Sequence, residues 1–418
     1  MERITGLSHR AQIGPQETRM GMLGLDSFGA SPRYGLMERM WPRVLLALTA
    51  VAALGQDIPR GQIVDSVKCS MDASQTYALY LPSNYSPDRK WKLILAFDPR
   101  GRGRAPLEQF KDAAEKYGYI LAGSNNARNG PPEISLTAAG MMGSDVVKRF
   151  SIDMQRVYTA GLSGAARIAM KVAMDSNEMA GVIASSAGFP PGERNSDLSF
   201  VVFGTAGTED FNYLEMRQLD EELSSPHRVV VFQGGHTWLP ADLAMQAVEW
   251  LELQAMKSDK TPRDEKFLDR VFAARSAEVA AQPSEADTWE AAGAIVRDFE
   301  GLRDVSKFSA QADALQQKKS VLDALNKRHA DEHFEAQLES ELMDLQEGLE
   351  DGGSARAATL SQLKDRLTKL AQQAAGAEDS QQRRMARRLL SGIMVDSRSI
   401  PDKEYQQFVD SLRTSGRN

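Results

Sequence analysis

The spacing of hydrophobic residues divides the chain into a half where strand and helix patterns alternate and a half where only helix patterns occur. In the first half, between residue 63 and about residue 253, short apolar and β-branched runs alternate with helical spacing. Residues 92–97 are apolar almost without interruption, as is typical of a strand buried on both faces. Alternating strands and helices form βαβ units. We therefore predict an α/β fold, with a mostly parallel sheet and helices on both of its faces.

The individual runs give the approximate places of these elements. Strands are predicted at residues 77–81, 92–97, 119–122, 157–160, 182–185, 199–204 and 228–232. Helices are predicted at residues 105–117, 163–174 and 241–253. Open sheets of this kind bind ligands beyond the carboxyl ends of their strands. The residues that follow each predicted strand are therefore the first candidates for a functional site.

After residue 262 the strand pattern stops and only helical spacing continues. Helices are predicted at residues 264–281, 284–299, 304–349, 355–375 and 381–393. Ser284 and Asp287 have the spacing of a helix cap, which separates the first two helices. These two helices resemble a tetratricopeptide-type hairpin. We predict an all-α C-terminal domain that binds a protein partner rather than performing chemistry.

Residues 1–55 show neither pattern. Residues 1–39 have no apolar period and are interpreted as a disordered leader, or as sequence upstream of the true start. In residues 40–55 the charge of Arg43 precedes an apolar run, and small residues precede Gln56, which is the arrangement of a secretory signal peptide. The apolar run is shorter than the roughly 20 residues that span a bilayer, and an uncleaved membrane anchor is the alternative.

These boundaries predict how the chain is organised and where it is located. The predicted parts are a leader at 1–39, a signal peptide at 40–55, an α/β domain at 56–255, a linker at 256–263 and a helical domain at 264–418. A cleaved signal peptide implies a mature protein that is exported, to the periplasm or out of the cell.

Composition restricts the partners and cofactors that the chain is expected to bind. The net charge of −7 disfavours nucleic acids and anionic membranes as main partners, because both require a basic surface. The single cysteine, Cys69, excludes an intramolecular disulfide. His329, Glu332 and His333 match a zinc peptidase motif, but they lie in a highly charged helix and are interpreted as its solvated face. We expect neither a metal nor an organic cofactor.

The strongest chemical signal lies where the predicted strand at 157–160 meets the following helix. There the chain reads Gly161-Leu162-Ser163-Gly164-Ala165. In a nucleophile elbow, a serine lies on a strained turn between strand and helix, and small neighbours allow the turn to pack. The serine then lies at a helix N-terminus, which favours developing negative charge. The last position of the motif is alanine instead of glycine, and an ordinary strand-to-helix turn is the alternative interpretation.

A candidate base and a candidate acid follow the last two predicted strands. Among the five histidines, only His227 and His236 lie in the strand-and-helix half. His227 precedes the last strand, whereas His236 follows it, at the edge where such sheets place their sites. The loop after the preceding strand contains Asp210 as the candidate acid and Glu209 as its alternative. The resulting chain order of serine, acid and histidine is that of α/β-hydrolases.

Residues 60–255 resemble the esterase and depolymerase branch of the α/β-hydrolase family, close to feruloyl-esterase-like and polyhydroxybutyrate-depolymerase-like enzymes. The matching segments are Gly161-Leu162-Ser163-Gly164-Ala165, Gly207-Thr208-Glu209-Asp210 and Gly234-Gly235-His236. They cover less than half of the chain. The resemblance implies a serine hydrolase that cleaves carboxylic esters through an acyl-enzyme, with Ser163, Asp210 and His236 as its triad.

The resemblance also implies an oxyanion hole that is built from two backbone N–H groups. One belongs to Gly164, and the other comes from the loop after the strand at 92–97. Many relatives have His-Gly there, whereas this chain has Asp98-Pro99. Proline has no N–H group, so Arg100 and Gly101 are the candidates for the second donor.

Two other functions remain open from the sequence. The altered oxyanion loop suggests a catalytically retired hydrolase-fold protein whose helical tail mediates interactions, because the loss of one donor costs about 100- to 1000-fold in rate. A secreted serine peptidase would carry the same triad. The short segment at 185–198 leaves little room for a lid, which predicts an open site for bulky or polymer-attached esters.

Overall fold

The computed structural model describes residues 58–176, 178–350, 353 and 355–415. The predicted leader and signal peptide lie outside these residues, so export stays a prediction. Within them, a single eight-stranded sheet is followed by helices alone. None of the described helices is both long enough and apolar enough to cross a bilayer.

The first half of the chain contains all the strands of the sheet. They are β1 (Ile63–Lys68), β2 (Thr76–Tyr80), β3 (Trp91–Phe97), β4 (Tyr119–Ser124), β5 (Ile152–Leu162), β6 (Gly181–Ser185), β7 (Val201–Gly207) and β8 (His227–Phe232). The helices among them are α1 (Arg104–Tyr117), α2 (Pro132–Arg149), α3 (Gly164–Ser176), α4 (Tyr213–Glu222) and α5 (Ala241–Lys257).

The order of the strands brings the predicted site residues to one edge of the sheet. The order is β1-β2-β4-β3-β5-β6-β7-β8. Strands β1 and β2, and β2 and β4, pair antiparallel, whereas all other neighbours pair parallel. Parallel strands end at the same edge, so the loops that follow β3, β5, β7 and β8 are neighbours in space. These loops carry Asp98, Ser163, Asp210 and His236.

Helices cover both faces of the sheet and form two hydrophobic layers with it. Helices α2, α3 and α4 pack on one face, and α1 and α5 pack on the other. Ala165, Ala169 and Ala173 of α3 lie in the first layer, where small side chains allow close packing against the sheet. The predicted fold class, a mostly parallel sheet with helices on both faces followed by an all-α region, is confirmed.

The helical region, residues 265–415, forms two large packed groups and a small third one. Its helices are α6 (Glu265–Ala280), α7 (Glu285–Phe299), α8 (Ser306–Gln316), α9 (Lys319–Glu350), α10 (Arg356–Ala374), α11 (Gln381–Asp396) and α12 (Lys403–Ser415). Helices α6 to α8 pack against the end of α5, α9 to α12 form the second group, and the small group joins α7 and α8 to the start of α9. The predicted cap between α6 and α7 is present, with Asp287 N donating to Ser284 Oγ at 3.1 Å.

A buried carboxylate attaches the helical region to the sheet. Asp298 of α7 accepts a hydrogen bond from Arg228 of β8 at 2.7 Å and one from the Trp250 indole of α5 at 2.8 Å. All three elements therefore meet at one buried charged group, which is stable because it is fully paired.

Several elements differ from the sequence prediction. Strand β1 and helices α2, α4 and α12 were not predicted. The pairing register of β1 with β2 shifts between Val64 and Val67. Its residues therefore do not follow the regular alternation of apolar and polar side chains that would predict a strand. The predicted single helix at 304–349 is wrong, because the chain leaves the helix after Gln316 and α9 begins at Lys319. No glycine or proline marks this break, and the residues around it are good helix formers.

Candidate active site

Ser163 lies on a strained turn between β5 and α3. Its backbone has a φ of 56°, the left-handed region that non-glycine residues rarely adopt. The Ser163 N–H donates to Ser185 O at 2.8 Å, which fixes the turn to the neighbouring strand β6. The side chain is partly exposed. A strained, accessible serine between a strand and a helix is the geometry of a nucleophile elbow.

The residues around Ser163 explain why the turn needs small side chains. A Cβ on Gly161 would lie 2.5 Å from the Ala165 carbonyl carbon, which is too close for any side chain. The methyl group of Ala165, which replaces the glycine of the motif, is buried between α3 and the sheet. The alanine is thus accommodated in the core while Ser163 keeps its strained conformation.

A second serine has the same backbone conformation but a different environment. Ser186 follows β6 and has a φ of 59°. It is completely buried, and its Oγ has no hydrogen-bond partner among the described residues. Because a substrate cannot reach a buried hydroxyl, Ser186 is a natural comparison for Ser163 rather than a rival nucleophile.

The structure brings Asp210 and His236 into direct contact. Asp210 Oδ1 lies 2.7 Å from His236 Nδ1, and Asp210 is completely buried. An ionised carboxylate only accepts hydrogen bonds, so this contact favours the imidazole tautomer that has its proton on Nδ1 and none on Nε2. Phe211 stacks on the imidazole, with the ring centroids 4.0 Å apart. The orientation and tautomer of the ring are both determined by these contacts.

The loops that carry the candidate acid and the candidate base are held together by their backbones. We call residues 208–212 the acid loop and residues 233–240 the base loop. Glu209 N donates to Gly234 O at 2.8 Å. A Cβ on Gly207 would lie 2.5 Å from Gly235 O, so only glycine allows the base loop to approach this closely.

Glu209, the alternative acid, points away from the imidazole. Its carboxylate lies 2.8 Å from Arg387 Nη1 and 3.4 Å from Arg383 Nη2, both on α11. The structure therefore places the two neighbouring acids in different roles, with Asp210 on the histidine and Glu209 on the helical region.

The loop after β3, residues 98–103, is organised around a buried carboxylate. Asp98 accepts hydrogen bonds from Arg102 Nε at 3.0 Å and from the Trp238 indole of the base loop at 3.0 Å. Burial raises the pKa of Asp98, but the hydrogen bonds from Arg102, Trp238 and Arg100 outweigh it and hold the pKa below its usual value. Asp98 thus joins this loop to the base loop.

Both predicted candidates for the second oxyanion donor are used inside the loop after β3. Arg100 N donates to Asp98 Oδ1 at 2.9 Å, and Gly101 N donates to Asp98 O at 3.0 Å. The first bond goes to the side chain of Asp98, which Arg102 and Trp238 hold in place, and the second goes to its backbone carbonyl. Gly164 N, the first predicted donor, begins α3 directly after Ser163.

The helical region contacts the acid loop through α11. The sequence predicted this helix but not its contact with the acid loop. Arg388 is buried, pairs with Glu335 of α9, and donates to Thr208 O at 2.6 Å. Its guanidinium lies over the Tyr213 ring, 4.4 Å from the centroid. Separating a buried charge from its partners costs free energy. This contact therefore attaches the acid loop firmly to the helical region.

A small acidic cavity of about 20 Å³ lies behind Phe211, between α9 and α11. Glu335, Glu339, Asp396 and Arg388 are among its lining residues. Desolvation of the Glu339 carboxyl group beside this cavity, together with the charges of Glu335, Asp396 and Glu215, raises its pKa to about 7, although the residue as a whole is exposed.

We expect Glu339→Gln to stabilise the protein at pH 8 but not at pH 5. A raised pKa means that the folded state holds the proton more tightly than the unfolded state, so stability falls as the pH rises from about 4.5 to about 7. Glutamine carries no charge to be repelled by Glu335 and Asp396. Melting temperatures at both pH values test this, with Glu347→Gln, a residue of α9 that does not line the cavity, as the control. Equal effects of the two substitutions at pH 8 would contradict the expectation.

Part of the zinc-peptidase string lies beside α4. His329 and Glu332 of α9, with Glu221 of α4, place their ligand atoms within 4.8 Å of one another. Glu332 also accepts hydrogen bonds from Arg217 at 3.1 Å and Tyr213 at 3.2 Å. Arg217 already neutralises the Glu332 carboxylate. These residues therefore join α4 to α9, and their charges do not favour a metal ion.

Comparison with known proteins gives matches among solved structures. No family model matches the chain, and no curated protein matches it. The chain is similar to a thermostable esterase at 19% identity and a TM-score of 0.36, over 45% of this chain and 61% of that one. It is similar to Est1E from Butyrivibrio proteoclasticus at 13% identity and 0.37, over 46% and 100%. It is also similar to a Bacillus cereus carboxylesterase at 15% identity and 0.36, over 44% and 95%.

The matched part of this chain is thus less than half of its length, and it spans about three fifths of the thermostable esterase. These three neighbours are esterases by name, and the comparison also found a protein named as a dienelactone hydrolase from Klebsiella pneumoniae and a puromycin-hydrolyzing peptidase from Mycobacterium tuberculosis.

Proposed function

We propose that the protein is a serine hydrolase that cleaves carboxylic esters through Ser163, His236 and Asp210. The observation that carries the proposal is the 2.7 Å contact between Asp210 and His236, at the same sheet edge as the strained turn of Ser163. A completely buried aspartate bound to a histidine, on the same sheet edge as an accessible serine, supports a triad that activates a serine hydroxyl.

In the proposed reaction, Ser163 Oγ attacks the carbonyl carbon of the ester while its proton passes to His236 Nε2. The carbonyl π electrons move to oxygen, and the oxyanion accepts a hydrogen bond from Gly164 N–H at the start of α3. Asp210 stabilises the imidazolium. When the tetrahedral intermediate collapses, the C–O bond to the alcohol breaks and His236 returns the proton to the departing oxygen. Water then cleaves the acyl-enzyme by the same steps, without a metal or organic cofactor.

The substrate proposed is an ester that reaches the site from solvent, including bulky or polymer-attached esters. Residues 186–200, between β6 and β7, contain neither helix nor strand. Because this segment is short and irregular, it provides no helix or strand that could cover the site as a lid. This supports an open entrance to the site.

A second candidate function is a retired hydrolase that serves only in binding. The hydrogen bonds that Arg100 N and Gly101 N make to Asp98 favour it, because an oxyanion hole with one donor is a poor catalyst. The third reading, a serine peptidase, requires the same triad acting on amides.

One experiment distinguishes these three functions. The full chain is incubated with 4-nitrophenyl butyrate, with a peptide 4-nitroanilide and with a fluorophosphonate probe, and the labelled peptide is identified by mass spectrometry. We expect ester hydrolysis, little anilide cleavage, and the label on Ser163. Preferred anilide cleavage would indicate a peptidase. A folded protein that neither turns over the ester nor takes the label would sink the proposal and favour the binding protein.

A further inference from the structure

The first residue of α3 lies against the side chain of an asparagine from another loop. A Cβ on Gly164 would lie 3.0 Å from Asn129 Cγ and 3.3 Å from Asn129 Nδ2, and closer still to Oδ1. A side chain at position 164 would therefore occupy the space of the Asn129 amide. The glycine after the nucleophile leaves room for this amide beside the N-terminus of α3.

Asn129 is held in place by its backbone, while its side chain is left free. It lies in the loop between β4 and α2, and its N–H donates to Pro99 O at 2.9 Å. The side chain is exposed. Within the part of the chain that the structure describes, the Asn129 amide forms no hydrogen bond. Asn129 thus adjoins the loop after β3 and presents an unused donor next to Gly164.

The proposed reaction needs a donor at this place. The loop after β3 has no N–H at Pro99, and the N–H groups of Arg100 and Gly101 both donate to Asp98. The Gly164 N–H alone would leave the oxyanion with one hydrogen bond. Carboxamide side chains are known donors in oxyanion holes, and rotation about the Cβ–Cγ bond exchanges the amide oxygen and nitrogen.

We propose that the Asn129 side chain is the second oxyanion donor, so that the oxyanion lies between Asn129 Nδ2–H and Gly164 N–H. The inference rests on the proposed ester hydrolysis and names a catalytic residue for it. Asn129 transfers no proton, because it only donates a hydrogen bond that strengthens as the carbonyl oxygen gains charge. A side chain from the loop after β4 thereby replaces the backbone donor that the loop after β3 lacks.

The test begins with Asn129→Ala and Asn129→Asp in the full chain, with 4-nitrophenyl butyrate as the substrate. Loss of one donor is expected to lower kcat by about 100-fold or more while KM stays within about twofold, because the hydrogen bond forms in the transition state. Asn129→Asp keeps the size but replaces the NH₂ group by an anionic acceptor, and we expect it to lose at least as much. Arg128→Ala, the adjacent exposed residue, is the control and should keep the parental kcat.

A substitution at Gly164 provides a second test of the Asn129 amide. Gly164→Ala retains the backbone N–H but places its methyl group where the Asn129 amide lies, so it should also lower kcat. The losses of Asn129→Ala and Gly164→Ala should not add in the double variant, because both remove the same hydrogen bond. Fully additive losses would indicate two independent effects and would count against the inference.

Affinity for a tetrahedral mimic separates catalysis from structure. Benzeneboronic acid, which forms a tetrahedral adduct with a catalytic serine, should bind Asn129→Ala more weakly by about the factor by which kcat falls. Melting temperatures should match the parent, since the side chain is exposed. A parental kcat in Asn129→Ala overturns the inference while leaving the esterase intact. A parent that hydrolyses no ester removes both the proposed function and the inference.

Discussion

Ser163→Ala is expected to lower kcat for 4-nitrophenyl butyrate by about a million-fold, the scale of loss seen when a serine hydrolase loses its nucleophile. The substitution removes only Oγ from a partly exposed side chain, so the fold should be retained. Steady-state kinetics with purified protein measure the loss, and circular dichroism checks the fold. Contamination by another esterase sets the lower limit of detection and is measured by fluorophosphonate titration of active sites.

Ser186→Ala is the matched control for this substitution. Ser186 has nearly the same backbone conformation at the end of the adjacent strand, and the same atom is removed. Any strain that alanine meets in a left-handed turn is therefore present in both variants. We expect Ser186→Ala to retain turnover within a few-fold. If both variants lost activity equally, the loss would reflect the sheet edge and not a nucleophile.

Asp210→Asn is expected to lower kcat by about ten-thousand-fold with little change in KM. The asparagine keeps the size of the side chain, but its amide can present NH₂ to His236 Nδ1, which shifts the imidazole proton to Nε2 and leaves no base facing the serine. The 2.7 Å contact in a completely buried position makes this change of tautomer hard to avoid.

Glu209→Gln is the control for the acid, since it makes the same chemical change one residue away. Glu209 pairs with Arg387 and Arg383 and not with the histidine. We expect kcat to fall by less than about tenfold. A larger loss of kcat in Glu209→Gln than in Asp210→Asn, measured in the pH range where kcat is constant, would assign the role of the acid to Glu209.

The sequence predicted the parts of the site that depend on local order along the chain. Each of Ser163, Asp210 and His236 lies within a few residues after an apolar strand, and parallel strands end at one edge, so their loops could be expected to meet. Strands β3 and β6 were recognisable because they are buried on both faces. Strand β1, at the edge of the sheet and with a shifted register, lacked such a pattern.

The parts that were not predicted depend on contacts between distant residues. Nothing near Asn129 in the sequence indicates that its amide lies against Gly164, and nothing near Asp98 indicates that the Trp238 indole, 140 positions away, donates to its carboxylate. Arg388 and Thr208 are 180 positions apart, and an arginine in a helix is most often solvated. Such pairs become visible only when the chain is folded.

The contact between Arg388 and Thr208 limits which substitutions the two halves of this protein can accept during evolution. The linker after α5 separates two kinds of secondary structure, yet the acid loop is partly enclosed by side chains from beyond it. A strand-and-helix half inherited without the helices that follow it would expose Phe211 and Tyr213 and leave Glu209 without its arginines. The helical region is therefore not an interchangeable appendage, and substitutions in the acid loop and in α11 are expected to be accepted only in combination.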